Sequence, residues 1–159
     1  MRAVVLALAA AGAFAAAATA GTPVTIVVAT KQGPTVQHAY PPATEVGDRF
    51  DSSLVLVNPK HVRQFGLAGK AKVGTMSFSY TIRSQCRAFE PACRSRADIQ
   101  TTSTLPGGTI DAAAKDVTIA TPRIVVPVTG GTGRYAGAHG TLTMGPASTQ
   151  TNVYRLELP

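Results

Sequence analysis

Helical periodicity is what this sequence lacks most. After residue 20 no segment repeats its apolar residues at helical spacing. The single helix-like piece, Asp111-Ala-Ala-Ala-Lys115, is too short to stand alone and lies between the β-like runs GGTI and DVTI. Cysteine is nearly absent as well, with only Cys86 and Cys93. A C-x6-C pair with no histidine beside it is a poor zinc site, and a redox pair would normally be closer. The three histidines, His38, His61 and His139, stand apart, with no H-x-H or H-x3-H among them. No metal and no organic cofactor is therefore expected. No G-x-S-x-G elbow supports a Ser/His/Asp nucleophile. Acidic residues are few, eight Asp+Glu against fifteen Lys+Arg, for a net charge of +7. Such a balance favours acidic partners, but the charges are scattered. The densest group, Arg83, Arg87, Arg94 and Arg96, is interrupted by Glu90 and Asp98 and reads as a solvated loop; an anion-binding module is the alternative. No nucleic-acid partner is expected.

What is present begins with residues 1–20, MRAVVLALAAAGAFAAAATA. One arginine, an Ala/Val/Leu run and the closing Ala18-Thr19-Ala20 have the pattern of a secretory signal peptide cut near Ala20. The run is short and Ala-rich for a membrane span, and no basic stop-transfer cluster follows. Residues 21–159 are then one secreted or periplasmic domain, long enough for a real core and with no second apolar run to cross a bilayer. In an exported protein, Cys86 and Cys93 read as a disulfide closing SQCRAFEPACRS. A loop of that size gives about 2.5 kcal/mol in the chain-entropy model.

The mature part reads as strands. Pro23–Thr30, Arg49–Asn58, Lys72–Arg83, Asp98–Leu105, Gly108–Asp116, Val117–Val128, Gly140–Met144 and Thr151–Leu158 are separated by turn signals at Asn58-Pro59, Gly66, Gly69, Pro106-Gly107-Gly108 and Gly145-Pro146. The clearest is KVGTMSFSYTIR, where Met76, Phe78, Tyr80 and Ile82 share one face and Ser77, Ser79 and Thr81 the other. Pro122 and Pro127 predict that PRIVVPV is irregular or at an edge. Residues 31–47 read as a long loop. Seven or eight short strands without a long helix make an all-β sandwich or barrel.

The most distinctive stretch is VTGGTGRYAGAHGTLT, Val128 to Thr143. Gly131-x-Gly133-x-x-Ala136 fits the loose dinucleotide fingerprint, but no amphipathic helix opens there and too little chain follows for a second strand with its acidic residue. No Gly-Lys-Ser/Thr ends a P-loop either, so no nucleotide is expected. Glycines at a strand–turn–strand junction supply positive φ, bulges and close backbone approach, which barrels need in order to close.

Gly130, Gly131, Gly133, Tyr135, Gly137 and Gly140 match a glycine signature, and the stretch resembles that of the dirigent proteins and allene oxide cyclases and their bacterial allene-oxide-cyclase-barrel-like relatives. Val46-Gly-Asp-Arg-Phe50 running into Leu54-Val-Leu-Val, Leu105-Pro-Gly-Gly-Thr-Ile110 and Val153-Tyr-Arg-Leu-Glu-Leu158 are similar to other pieces of those families, in the right order over residues 23–158. The resemblance implies an eight-stranded antiparallel barrel of allene oxide cyclase/dirigent type with a lipocalin-like cavity, room for one small ligand, and homo-oligomers.

The families' catalytic residues are not recovered. Where dirigent proteins carry an acidic pair, this chain has Asp51 alone; where the cyclases carry Glu and Asn near the first strand and a Cys inside, it has neither on Val24–Thr30 and Tyr80 at the Cys position. The cavity candidates are Arg49, Asp51, Tyr80, Tyr135, His139 and Tyr154. Arg49 with Asp51 could orient a carbonyl; long charged side chains usually stay wet, however, and Tyr80 and Tyr154 read first as core packing. The expectation is a secreted barrel binding a small apolar or aromatic molecule and guiding its cyclisation or coupling without a cofactor. The alternative is a structural or cell-surface protein with a filled barrel.

Overall fold

A computed structural model describes residues 21–32, 45–85, 95–119, 123–145 and 150–159. Eight antiparallel strands, β1 (Thr22–Gln32), β2 (Arg49–Val57), β3 (Lys72–Ser84), β4 (Arg96–Leu105), β5 (Gly108–Thr118), β6 (Ile124–Gly131), β7 (His139–Met144) and β8 (Thr151–Leu158), follow one another around a closed barrel. Closure is made by β1 against β8, from Thr22 opposite Leu158 to Ala29 opposite Thr151. The all-β reading and the eight-stranded barrel hold.

Alternation decides the inside. Ala97, Ile99, Thr101, Ser103 and Leu105 of β4 are buried, while Gln100, Thr102 and Thr104 between them are exposed. Cross-strand register carries the same parity round the barrel: Tyr80 faces Phe50 and Ile99, and Tyr154 faces Ile26 and Leu142. Asp111–Lys115 lies inside β5, so its three alanines form strand; Ala112 is buried and Ala114 packs on the core. The run expected as one strand, Val117–Val128, is broken. Val117 and Thr118 end β5, and β6 begins at Ile124. The ladder of β6 to β5 covers only Ile110–Gly131, Asp111–Gly130 and Ala112–Val128, whereas β7 pairs from Ile124 to Val128. Pro127 thus falls where the β5 ladder has ended, which makes this part of β6 an edge in the sense a proline requires.

The barrel has two unlike ends. The near end holds the β2–β3, β4–β5 and β6–β7 connections. The last two interlock: Thr132 N–H donates to Thr109 O at 3.0 Å and Arg134 N–H to Gly107 O at 2.8 Å. A single 3-10 turn, Gly133–Tyr135, buries Tyr135 completely. The β2–β3 connection lies against β1, where the Gln64 amide accepts from Val27 N–H at 3.1 Å and donates to Val27 O at 2.6 Å. Because β2 pairs with β1 only over Ala29–Gln32, Gln64 supplies the hydrogen bonds that β2 no longer gives Val27. Asn58, 1% exposed, braces the same connection by donating to Leu67 O and Ala68 O at 3.0 Å. The far end is formed by the starts of β2, β4, β6 and β8 and the finishes of the other four strands.

Candidate ligand site inside the barrel

The interior changes character from one end to the other. Val28, Leu56, Ile110, Val126, Leu142 and Tyr154 are 0% exposed and make up the closed part of the interior. Towards the far end Phe50, Phe78, Tyr80, Ala114, Val117, Ile124 and Met144 point inward but are only partly buried. Phe50 stacks on Tyr80 with ring centroids 5.1 Å apart at 27°, and Phe78 meets the same ring at 5.9 Å and 52°. These three rings make an aromatic wall on β2 and β3.

Beneath that wall lies a small uncharged polar group. Ser103 Oγ and Tyr154 OH bond across the barrel at 2.6 Å. One inward position nearer the far end on each strand are Thr101 of β4 and Asn152 of β8, 4% and 6% exposed. The Asn152 amide donates to Met76 Sδ at 3.8 Å, and the buried Thr101 Oγ1 has no partner. Burial pushes the Tyr154 phenol up to about 12, against a smaller opposing effect of the Ser103 bond, and raises Tyr80 as well. Both hydroxyls are neutral at physiological pH. Among the described residues, no buried position and no inward strand position carries Asp, Glu, Lys, Arg or His. Charge is kept outside, and the interior offers hydroxyls, an amide, a thioether and rings.

The six residues singled out from sequence divide accordingly. Tyr80 and Tyr154 face the interior, Tyr80 in the aromatic wall and Tyr154 in the polar group. Arg49 and Asp51 do not: their parity on β2 is opposite to Phe50, Leu54 and Leu56, and they pair on the outer face, Nε to Oδ1 at 3.0 Å. There they border a groove of about 380 Å³ with Ser53, Ser77, Ser79, Gln100 and Thr102, and its lining also includes Ser52, Phe78 and Thr101 of the same wall. His139 is exposed at the start of β7 and pairs with Glu157 at 3.0 Å. Tyr135 is buried at the near end and donates to Pro106 O at 3.2 Å, away from the polar group. Thr101, Ser103, Asn152, Phe50 and Phe78 were not singled out as site residues. The signal available for Thr101 and Ser103 was two hydroxyls at the inward parity of an otherwise apolar face.

The glycine stretch is a backbone joint. Gly130, Gly133, Gly137 and Gly140 have positive φ, and a side chain at Gly131 would meet Thr109 O. Of the arginine cluster, Arg83 is bonded to the Asp98 carboxylate and Arg96 to Asp116 at 2.7 Å, so both are neutralised by acids on β4 and β5. Arg87, Arg94, His38 and the proposed Cys86–Cys93 disulfide lie outside the described residues, as does the segment 1–20.

The closed antiparallel order of eight strands is the barrel fold found in the dirigent proteins and allene oxide cyclases, and solved structures of that fold are similar to this chain. Among solved structures the chain is similar to pyocyanin demethylase, at 24% identity and a TM-score of 0.63 over 86% of this chain and all of that one. It is similar at 16% identity and a TM-score of 0.59 to a pterocarpan synthase dirigent protein, covering 88% of this chain and 86% of the other. A third, a nonspecific heme-binding cyclase catalysing a cycloaddition in neoabyssomicin biosynthesis, matches at 18% and 0.52 over 86% of this chain and 62% of that protein. No protein-family model and no curated protein matches the chain.

Proposed function

We propose that this protein is an exported barrel that holds one small, mostly apolar and aromatic molecule in the far half of its interior. The observation that carries the reading is the partly buried wall of Phe50, Phe78 and Tyr80 above a buried polar group. Pockets for small molecules have this make-up, apolar walls with a few placed polar groups. Barrels of this fold include a demethylase, a dirigent protein and a cyclase. Any reaction the described interior promotes is one that shape and neutral hydrogen bonds can guide, by holding an intermediate in one near-attack geometry. Proton abstraction by an interior carboxylate is not available from the described residues.

The test is native mass spectrometry of the protein recovered from the export compartment, combined with titration by an apolar fluorescent dye. A stoichiometric small molecule, or one dye per barrel whose binding is lost in Tyr80→Ala, supports the reading. An empty barrel that also ignores the dye turns the protein into a filled structural barrel. Recovery of a chain beginning near Gly21 would support export; retention of residues 1–20 would sink it.

A further inference from the structure

The polar group inside the barrel has more hydrogen-bond donors than the protein uses. The Ser103 and Tyr154 hydroxyls have two protons between them, and one lies in their mutual bond. Thr101 Oγ1 is buried with no partner. The Asn152 amide directs one N–H to a thioether sulfur, a weak acceptor, and its second N–H makes no bond to the described protein. Three donors on β4 and β8 thus face an interior whose surroundings are apolar. A buried donor left unpaired is costly, and structures avoid it unless the site has a use.

Resting on the ligand-holding reading above, we infer that the ligand's deep end is an uncharged carbonyl oxygen, as in a cyclic enone, quinone or aryl ketone, received by Thr101 and Asn152. A carbonyl oxygen accepts two hydrogen bonds at once and brings no donor of its own. A carboxylate or an ammonium would bring a charge into an interior with no counter-charge among the described residues. Its flat remainder lies against Phe50, Phe78 and Tyr80, whose rings offer stacking and edge contacts. Specificity follows from the asymmetry of hydrogen bonding. An analogue lacking the oxygen still fits the apolar wall but leaves the donors unpaired.

The experiment titrates wild type, Thr101→Val and Asn152→Leu with indanone, indane, indanol and indane carboxylate, by calorimetry. Wild type is expected to bind indanone more tightly than indane or indanol, and the carboxylate not at all. Thr101→Val is nearly isosteric, and one lost hydrogen bond should weaken indanone about fivefold while indane changes by less than about twofold. Without ligand, Thr101→Val should melt no lower than wild type, because no hydrogen bond is lost. Indane binding with equal affinity for indanone, unchanged in both variants, overturns the carbonyl site and leaves the ligand-holding reading intact. Tighter binding of indanol or of the carboxylate overturns it too. Failure of every compound to bind wild type counts against the ligand-holding reading itself.

Discussion

Single side chains on the outer wall do a different job from those inside. Asp98 accepts from the Arg83 guanidinium and, at 2.9 Å, from Asp116 N–H, and these bonds hold its carboxyl below the usual aspartate range. Its pKa is lower folded than unfolded, so it contributes stability that is complete above the unfolded value of about 3.9 and lost as pH falls through the lower folded value. Asp98→Asn should therefore lower the melting temperature at neutral pH, with a gap to wild type that narrows on acidification below about pH 4. Melting curves across that range check it; a constant gap would show that charge is not what Asp98 contributes. The two bonds also hold the β4–β5 bulge, where Asp116 sits at φ 54. Residue type predicted such pairing less well than site. Arg49, Asp51 and His139 attract attention in a sequence because charge suggests chemistry, yet strand parity puts the first two outside and exposure the third. Thr101 and Asn152 attract none, being ordinary residues whose importance comes from burial without a partner or with only a thioether.

Elements were far more legible, because alternation is a local property. The face of Met76, Phe78, Tyr80 and Ile82 survives unchanged in β3, and the glycine run does act as a turn joining two late strands. Pro122 and Pro127 signal irregularity in this stretch, but the pattern did not place a break between Thr118 and Ile124, since β-branched residues continue on both sides of it. Nor could it show that the Pro106–Gly108 and Thr132–Arg134 turns dock backbone to backbone, a contact between distant segments. That docking explains the glycines. Gly133 has φ 60, and a Cβ there would stand 2.1 Å from Gly107 O, so an added methyl group must push the two turns apart. Gly133→Ala is expected to cost roughly 2–4 kcal/mol, the left-handed backbone penalty plus the displaced hydrogen bonds. Gly66, with φ 71 and open space around its Cβ position, isolates the backbone part. Gly66→Ala should cost about 1 kcal/mol. Urea midpoints of the two variants decide the matter, and equal losses would mean that the docking of the turns adds nothing.

At the scale of the molecule, closure is the property on which interior and surface both depend. Every strand has a neighbour on both sides, and the edge that remains along Ile124–Pro127 of β6 is short and carries a proline, so it offers little for another chain to add to. The closing ladder joins β1 to β8, segments more than a hundred residues apart, and such distant pairing forms late and slowly. β8 also supplies Asn152, Tyr154 and Leu156 to the interior, so it completes the polar group and the core together. Deleting residues 151–159 should therefore do more than shorten a sheet. Ser103 would lose its partner, the inward faces of Ile26 and Leu142 would lose Tyr154, and β1 and β7 would become exposed edges. The expected outcome is loss of cooperative unfolding by circular dichroism and elution as aggregates in gel filtration. Glu157→Ala is the control, since it removes only an exposed pairing with His139 and should change stability by less than about 1 kcal/mol while the barrel stays monodisperse. A truncated chain that still melted cooperatively would mean that seven strands close without β8, and the polar group could then not be the product of barrel closure.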